Sequence, residues 1–232
     1  MHNQDTKNLE VEIGYSFTNQ ELLVTALTHR SFLNEQRLEF VGNNERLEFL
    51  GDAVLELVTT ELLFHTYPGR PEGELTSFRA ALVRTESLAE TAEVIGIGQF
   101  IRMSKGEEAT GGRTRQYILA NSIEALIGAI YLDSGYSQAK KFVDSFIGKK
   151  LNAIVEQRLD IDAKSKLQEI AQEKFKYTPT YEVSDQHGPD HDRVFTVRAI
   201  INGENYGEGQ GKSKQEAEQA AAKEALSKIT NL

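Results

Sequence analysis

Apolar residues recur at helical spacing along the first two thirds of the chain. Thr18 opens a capping box with Glu21, and Leu22, Leu23, Ala26 and Leu27 follow as a short helix. From Asn44 the pattern strengthens. At about 100° per residue, Leu47, Leu50, Val54 and Leu57 share one side of a helix while Glu45, Glu48 and Asp52 share the other. Phe49 and Leu55 place large apolar groups beside those acids, so this helix is expected to be mostly buried. The pattern continues through Glu61 to Tyr67 until Pro68-Gly69-Arg70-Pro71 stops it, and another helix runs through Arg79, Leu82, Val83 and Arg84. Lys105 to Arg115, rich in Gly and charge, predicts an exposed loop. Ile118 to Asp133 is apolar on nearly every side and belongs in a core. Ala139 to about Leu159 predicts a last amphipathic helix, with Phe142, Phe146, Leu151 and Ile154 at helical spacing.

The period then changes. Residues 159–162 read as a short linker between a first domain, 1–158, and a second, 163–232. Lys164 to Lys174 is helical, and Pro179 closes the turn after it. Tyr181 to Ser184 and Val194 to Ile201 alternate as strands, with Phe195, Val197, Ala199 and Ile201 on one face. Asn202-Gly203 is a hairpin signal leading into a third strand through Tyr206. Ser213 and Glu216 form a capping box before an Ala-rich helix, whose small side chains suit close packing on a sheet. The fold class expected is mainly α: an all-helical domain followed by a small α-β-β-β-α domain.

Composition changes this picture little. A chain of 232 residues can bury real cores. It has no cysteine, which excludes disulfides and thiolate metal sites and suits a reducing cytoplasm. No apolar run is long enough to span a bilayer, so no membrane partner is expected. The net charge of −9 divides into −6 for residues 1–158 and −3 for 159–232. Neither domain is basic overall, so any nucleic-acid contact must rest on local placement of cations.

Two local features carry chemistry. Glu45, Glu48 and Asp52 stand three and four residues apart, and no Lys or Arg lies on their stripe. Clustered carboxylates in a partly buried place are costly unless a cation compensates them, and a hard divalent ion is the expected one. Glu124, inside the most apolar helix, is a buried acid of the same kind, with Asn121 one turn earlier on the same face. In the second domain, Lys212 and Lys214 crowd a helix N-terminus, where the macrodipole disfavours cations. Cations beside unsatisfied backbone N–H groups make a phosphate site.

At these residues the chain resembles a known family. The run Asn44-Glu45-Arg46-Leu47-Glu48-Phe49-Leu50-Gly51-Asp52, with Ala53 and Val54 after it, is similar to the signature helix of bacterial ribonuclease III, and Thr28-His29-Arg30-Ser31 to the stretch before it. Gly188-Pro189-Asp190-His191 and Gly209-Gln210-Gly211-Lys212-Ser213-Lys214-Gln215-Glu216-Ala217 resemble the double-stranded RNA-binding domain. The resemblance implies a homodimeric endoribonuclease that uses Mg²⁺, for which Mn²⁺ can substitute, and needs no nucleotide cofactor. It would cut double-stranded RNA to 5′-phosphate and 3′-hydroxyl ends with short 3′ overhangs, in processing of ribosomal or messenger precursors. Glu48, Asp52, Asn121 and Glu124 match metal-binding positions. By the same resemblance Asp52, Glu124, Glu45 and Glu72 would be catalytic, Glu45 and Glu72 as outer acids that assist a second metal, substrate or product release. Ser165, Gln168 and Gln172 would meet one minor groove and His191 the next, while Lys212 and Lys214 grip phosphates between them. His29 is assigned no catalytic role. One departure stands at the metal site: the family typically has Asp where this chain has Asn121. That opens an alternative, a catalytically weak or inactive double-stranded RNA-binding regulator. A small-molecule metal hydrolase would leave the second domain unexplained.

Overall fold

A computed structural model of the chain describes residues 3–33, 42–157, 163–189 and 193–230. The chain divides into two compact units, residues 1–160 and 161–232. The expected linker 159–162 lies outside the described residues.

The first unit is helical: α1 Asn3–Ile13, α2 Gln20–Ala26, α3 Arg30–Leu33, α4 Glu45–Thr66, α5 Glu72–Val83, α6 Thr85–Ile95, α7 Lys105–Ala109, α8 Gln116–Ser134, α9 Tyr136–Phe146 and α10 Leu151–Gln157. Helix α8 is the axis of the core, as its all-round apolar sequence requires. Ile118, Leu119, Ile123, Leu126, Ile127 and Ile130 are buried along it, and α2, α4, α6 and α9 pack around it. Each fully buried Leu of the surrounding helices, such as Leu55, Leu82 and Leu88, contributes about 1.5–3 kcal/mol through its burial.

Several expectations need correction. Asn19, not Thr18, caps α2: its Oδ1 accepts from the Glu21 amide at 3.0 Å, while the Thr18 and Asn19 amides donate to Asp133 at the end of α8. Asp133 draws the chain one residue further on before the helix begins. The buried side of helix α4 is rotated from the expected one, sharing Leu47 and Val54 with it. Leu47, Gly51, Val54, Leu55 and Val58 are buried, whereas Phe49 is 81% and Leu57 58% exposed. The buried arc is centred on Gly51, roughly 80° nearer the acids than the leucine spacing suggests. The segment 105–115 is folded rather than a loop. Arg113 donates to the carbonyls of Gly98, Gln99 and Ile101, and Arg115 pairs with Glu107, which fastens α7 and a 3₁₀ turn to the core. The expected helix from Ala139 to Leu159 is broken by a 3₁₀ turn at Gly148–Lys150, where Gly148 meets Leu62 of α4.

The second unit runs α11 Ala163–Lys174, β1 Thr180–His187, β2 Val194–Ile201, β3 Glu204–Gly211 and α12 Lys214–Thr230, with the antiparallel order β1-β2-β3. Asn202 and Gly203 both have positive φ, +50° and +82°, as a two-residue hairpin turn of the primed type demands. Val197, Ala199 and Ile201 point into the core as expected, although Phe195 is only half-buried. The sheet meets α12 backbone to backbone. A Cβ on Gly207 would lie 2.3 Å from the Ala221 carbonyl, and one on Gly209 2.1 Å from its amide. The alanines of α12 complete that contact; Ala217, Ala221 and Ala225 are fully buried. Ser213 Oγ accepts from the Glu216 amide at 3.2 Å, and the Glu216 carboxylate reaches back to the Lys212 amide at 2.8 Å.

Candidate active site and nucleic-acid interface

The crossing of α4 and α8 builds the first site. A Cβ on Gly51 would sit 1.7 Å from the Glu124 carbonyl, and one on Gly128 2.2 Å from the Leu47 carbonyl, so the two helices touch through their backbones. No residue but glycine permits that approach. Glu48 and Asp52 flank Gly51 on α4, and Asn121 and Glu124 stand one turn apart on α8. The four side chains are thereby brought together. Glu124 is half-buried rather than fully buried, yet burial pushes its carboxyl up to about 7, with the charges of Asp52 and Glu48 adding to the shift. Burial also raises Glu48; the neighbouring Asn121 amide opposes that by hydrogen bonding, and the charges of Glu45 and Asp52 reinforce it.

All four donors are oxygen, the chemistry of a hard divalent cation. Among the described residues no three His, Cys, Asp or Glu side chains stand at chelating distance as they are. The fit rests instead on a four-member set that includes a neutral amide, and on carboxylates whose repulsion a cation would relieve.

Beside this cluster lies a cavity of about 290 Å³, lined by His29, Arg30, Asn44, Glu45, Glu48, Tyr117, Ile118 and Asn121. Glu45 sits at its edge, accepting from Asn43 Nδ2 at 2.8 Å and pairing with Arg30 at 3.6 Å. Glu72 is not drawn in. It stands exposed at the first position of α5. His29 and Tyr117 are lining residues that spacing could not reveal, since neither belongs to a periodic pattern. His29 is held by a non-local bridge: its amide donates to the Arg102 carbonyl at 2.9 Å, and the Asn44 amide donates to the Thr28 carbonyl at 2.9 Å.

In the second unit a groove of about 540 Å³ runs between the starts of α11 and α12. Ser165, Gln168 and Lys214 line it together, with Lys164, Gln215 and Glu218. Gln172 is exposed one turn further along α11, outside the groove, and Lys212 is exposed outside it too. Lys164 pairs with Glu218 at 2.6 Å and lies over the Tyr181 ring at 4.9 Å. His191 lies outside the described residues.

A helical unit whose tightest helix crossing gathers oxygen donors, joined to an α-β-β-β-α unit with a polar helix face, fits a metal-dependent nuclease with a duplex-binding module. Comparison with known proteins agrees. Residues 19–151 match a family model described as ribonuclease-III-like, and residues 163–229 the double-stranded RNA binding motif. Ribonuclease 3 of Desulforamulus reducens is 44% identical over 229 residues, covering 99% of this chain and 93% of that protein. Ribonuclease 3 of Geobacter metallireducens is 45% identical over 227 residues, covering 97% and 92%. The nuclease domain of ribonuclease III from Campylobacter jejuni, solved at 2.2 Å, superposes with a TM-score of 0.58 at 45% identity, covering 65% of this chain and 97% of that one. A second structure of that domain describes flexibility in a region involved in its dimer formation. This chain belongs to the ribonuclease III family, metal-dependent endoribonucleases that cut double-stranded RNA. The reading as an inactive regulator is not favoured. Among the described residues no helix is long and apolar enough to cross a membrane.

Proposed function

We propose that the chain is a cytoplasmic, homodimeric Mg²⁺-dependent endoribonuclease, with Mn²⁺ able to substitute. It processes RNA precursors by cutting double-stranded RNA to 5′-phosphate and 3′-hydroxyl ends with short 3′ overhangs. The observation that supports the reading is the α4–α8 crossing, where Gly51 and Gly128 let the two helices touch, Glu48 hydrogen-bonds with Asn121, and the charges of Asp52 and Glu48 act on Glu124. When bound there, Mg²⁺ supplies an activated water and neutralises charge at the scissile phosphate. Asp52 and Glu124 hold it by charge, Glu48 adds a third carboxylate, and Asn121 contributes a neutral oxygen or orients Glu48 through its amide. Glu45, at the cavity edge, is an outer acid beside the same site. Glu72, exposed on α5, is assigned the same outer role, which requires a surface beyond its own chain's cavity.

A dimer is supported by the face of α4 turned away from α8. Phe49, Leu57 and Phe64 stand 81%, 58% and 65% exposed within a stripe of roughly 80° on one helix, and apolar surface of this kind marks an interface. Catalysis is assigned to residues 1–158 and duplex binding to 163–232. In the second part Ser165, Gln168 and Gln172 meet a minor groove, His191 the next, and Lys212 and Lys214 the phosphates between.

The test is cleavage of a long RNA duplex with Mg²⁺, with Mn²⁺ and with chelator, followed by analysis of the product ends. Cutting that requires metal and leaves 5′-phosphates is expected. A chain that stays inert at every Mg²⁺ and Mn²⁺ concentration sinks the reading.

A further inference from the structure

His29 lines the cavity beside the metal cluster, and its hydrogen bonds decide which ring nitrogen carries the proton. The Ser31 backbone N–H, which can only donate, points at His29 Nδ1 at 3.3 Å. Ser31 Oγ lies 2.8 Å from the same nitrogen and itself accepts from the Ser104 amide at 3.0 Å, so its own hydrogen is available to the ring. The backbone contact requires Nδ1 to be the acceptor, and the hydroxyl, which can donate to it, is compatible with that role; the proton is then left on Nε2. Burial lowers the pKa of this imidazole, which favours its neutral form. The backbone is pinned on both sides of it: the Arg102 amide donates to the Leu27 carbonyl at 2.7 Å, and the His29 amide donates to the Arg102 carbonyl. The ring is a neutral N–H donor of fixed tautomer, set in a wall that also carries Glu45, Glu48 and Asn121.

The surroundings select what such a donor can meet. A phosphate oxygen would be met by the cation that the neighbouring cluster would hold and not by a neutral N–H, and Arg30, the one cation among the described residues lining the cavity, is already paired with Glu45. A hydroxyl suits the wall better, because it accepts from an N–H and gives its own hydrogen to a carboxylate or amide oxygen. In duplex RNA that group is the ribose 2′-hydroxyl, which also tells RNA from DNA. We propose that His29 donates through Nε2 to a ribose 2′-hydroxyl next to the scissile bond, and so reads the sugar of the strand being cut. The proposal rests on the nuclease reading above. His29 acts here as a specificity-determining residue and not as the acid or base of the reaction.

The experiment compares kcat/KM for an all-ribose duplex with that for duplexes carrying one 2′-deoxy nucleotide at each position flanking the cut, in the native full-length chain, His29→Ala and His29→Gln. In the native chain one deoxy position should cost about tenfold, the effect of one lost hydrogen bond. In His29→Ala the all-ribose duplex should be cut about tenfold more slowly and the deoxy penalty at that position should vanish. His29→Gln, which keeps an N–H donor, should restore part of both. Histidine ¹⁵N resonances of the native chain should report the Nε2–H tautomer, and Ser31→Ala should loosen it. An equal deoxy penalty in all three proteins, or an Nδ1–H tautomer in the native chain, overturns the assignment while leaving the nuclease reading intact. If the native chain does not cut even the all-ribose duplex, the nuclease reading fails and this inference falls with it.

Discussion

Both units bring backbones together through glycine, yet they use the contact differently. In the first, Gly51 and Gly128 sit at the centre of the functional residues, so the approach that packs α4 on α8 also presses carboxylates on one another. In the second, Gly207 and Gly209 seat β3 on the alanines of α12, while Ser165, Gln168 and Lys214 stand in a groove at the starts of α11 and α12. Packing and function are one feature in the first unit and separate features in the second. Single substitutions at the crossing should therefore abolish chemistry, whereas changes in the second unit should tune affinity.

The largest expected effect is that of Glu124→Gln. Cleavage should fall by roughly three orders of magnitude, as for loss of a principal electrostatic group, while duplex binding stays nearly native because it rests on phosphate contacts. Gel-shift affinity in Ca²⁺ set against turnover in Mg²⁺ measures both; near-native cleavage would remove Glu124 from the site. Next, Gly51→Ala should lower cleavage about a hundredfold, since its Cβ must push the Glu124 backbone away and overpacking costs about 1–3 kcal/mol in addition. Gly209→Ala should be comparably destabilising yet leave turnover at low salt within about tenfold of native. Equal losses of turnover in the two variants would erase the contrast between the units.

Removing the second unit should act through salt. The protein cut to residues 1–158 should dimerise and cleave at low ionic strength but lose activity at a lower salt concentration than the full chain. Each phosphate contact contributes a log–log slope of roughly 0.7–0.9, so with fewer contacts the truncated chain has less affinity to lose before binding fails. No cutting at any salt, with the dimer verified by sedimentation, would place essential groups beyond residue 158.

The pH dependence of stability should expose the crossed carboxylates. Glu124 titrates near its ordinary 4.5 when unfolded and near 7 when folded, so between those values the folded chain holds a proton that the unfolded chain has released. That contribution is complete below pH 4.5 and is lost as pH rises through about 7. After allowance for the partial exposure of the group, it is on the order of 1–2 kcal/mol. In chelator, Glu124→Gln should therefore melt above the native chain at pH 8 and level with it at pH 4.5, and Mg²⁺ should raise the native melting temperature at pH 8 more than the variant's. Identical melting curves for the two proteins at pH 8 would count against the close approach of these acids.

The smallest effect expected is at Asn121. Asn121→Asp adds the charge the family typically carries there, so the Mg²⁺ concentration for half-maximal cleavage should drop several-fold with the cut positions unchanged. It also removes the amide that hydrogen-bonds Glu48, so the metal-free protein should be slightly less stable. A Mg²⁺ titration and a melt in chelator check the two halves. No change in either would mean that position 121 is not a ligand.

What the amino-acid sequence determined by itself was local or strongly periodic. The helical course of α4 and α8, the Asn202-Gly203 hairpin and the α-β-β-β-α order follow from apolar period and turn chemistry acting within a few residues. The acids on α4 were visible for the same reason, as was Ser213 at the start of α12. The tertiary structure decided which arc of α4 is covered, because that depends on Gly51 admitting another backbone and not on where the leucines lie. It likewise left Phe49 and Leu57 exposed, folded Lys105 to Arg115 by arginine bonds to distant carbonyls, and moved the cap of α2 to Asn19 through Asp133, more than a hundred residues away. His29 entered the cavity wall through a bridge to Arg102, a contact between segments some seventy residues apart that no spacing records. A side chain's neighbours along the chain are set by local geometry, but its neighbours across the fold are set by how closely two backbones can approach.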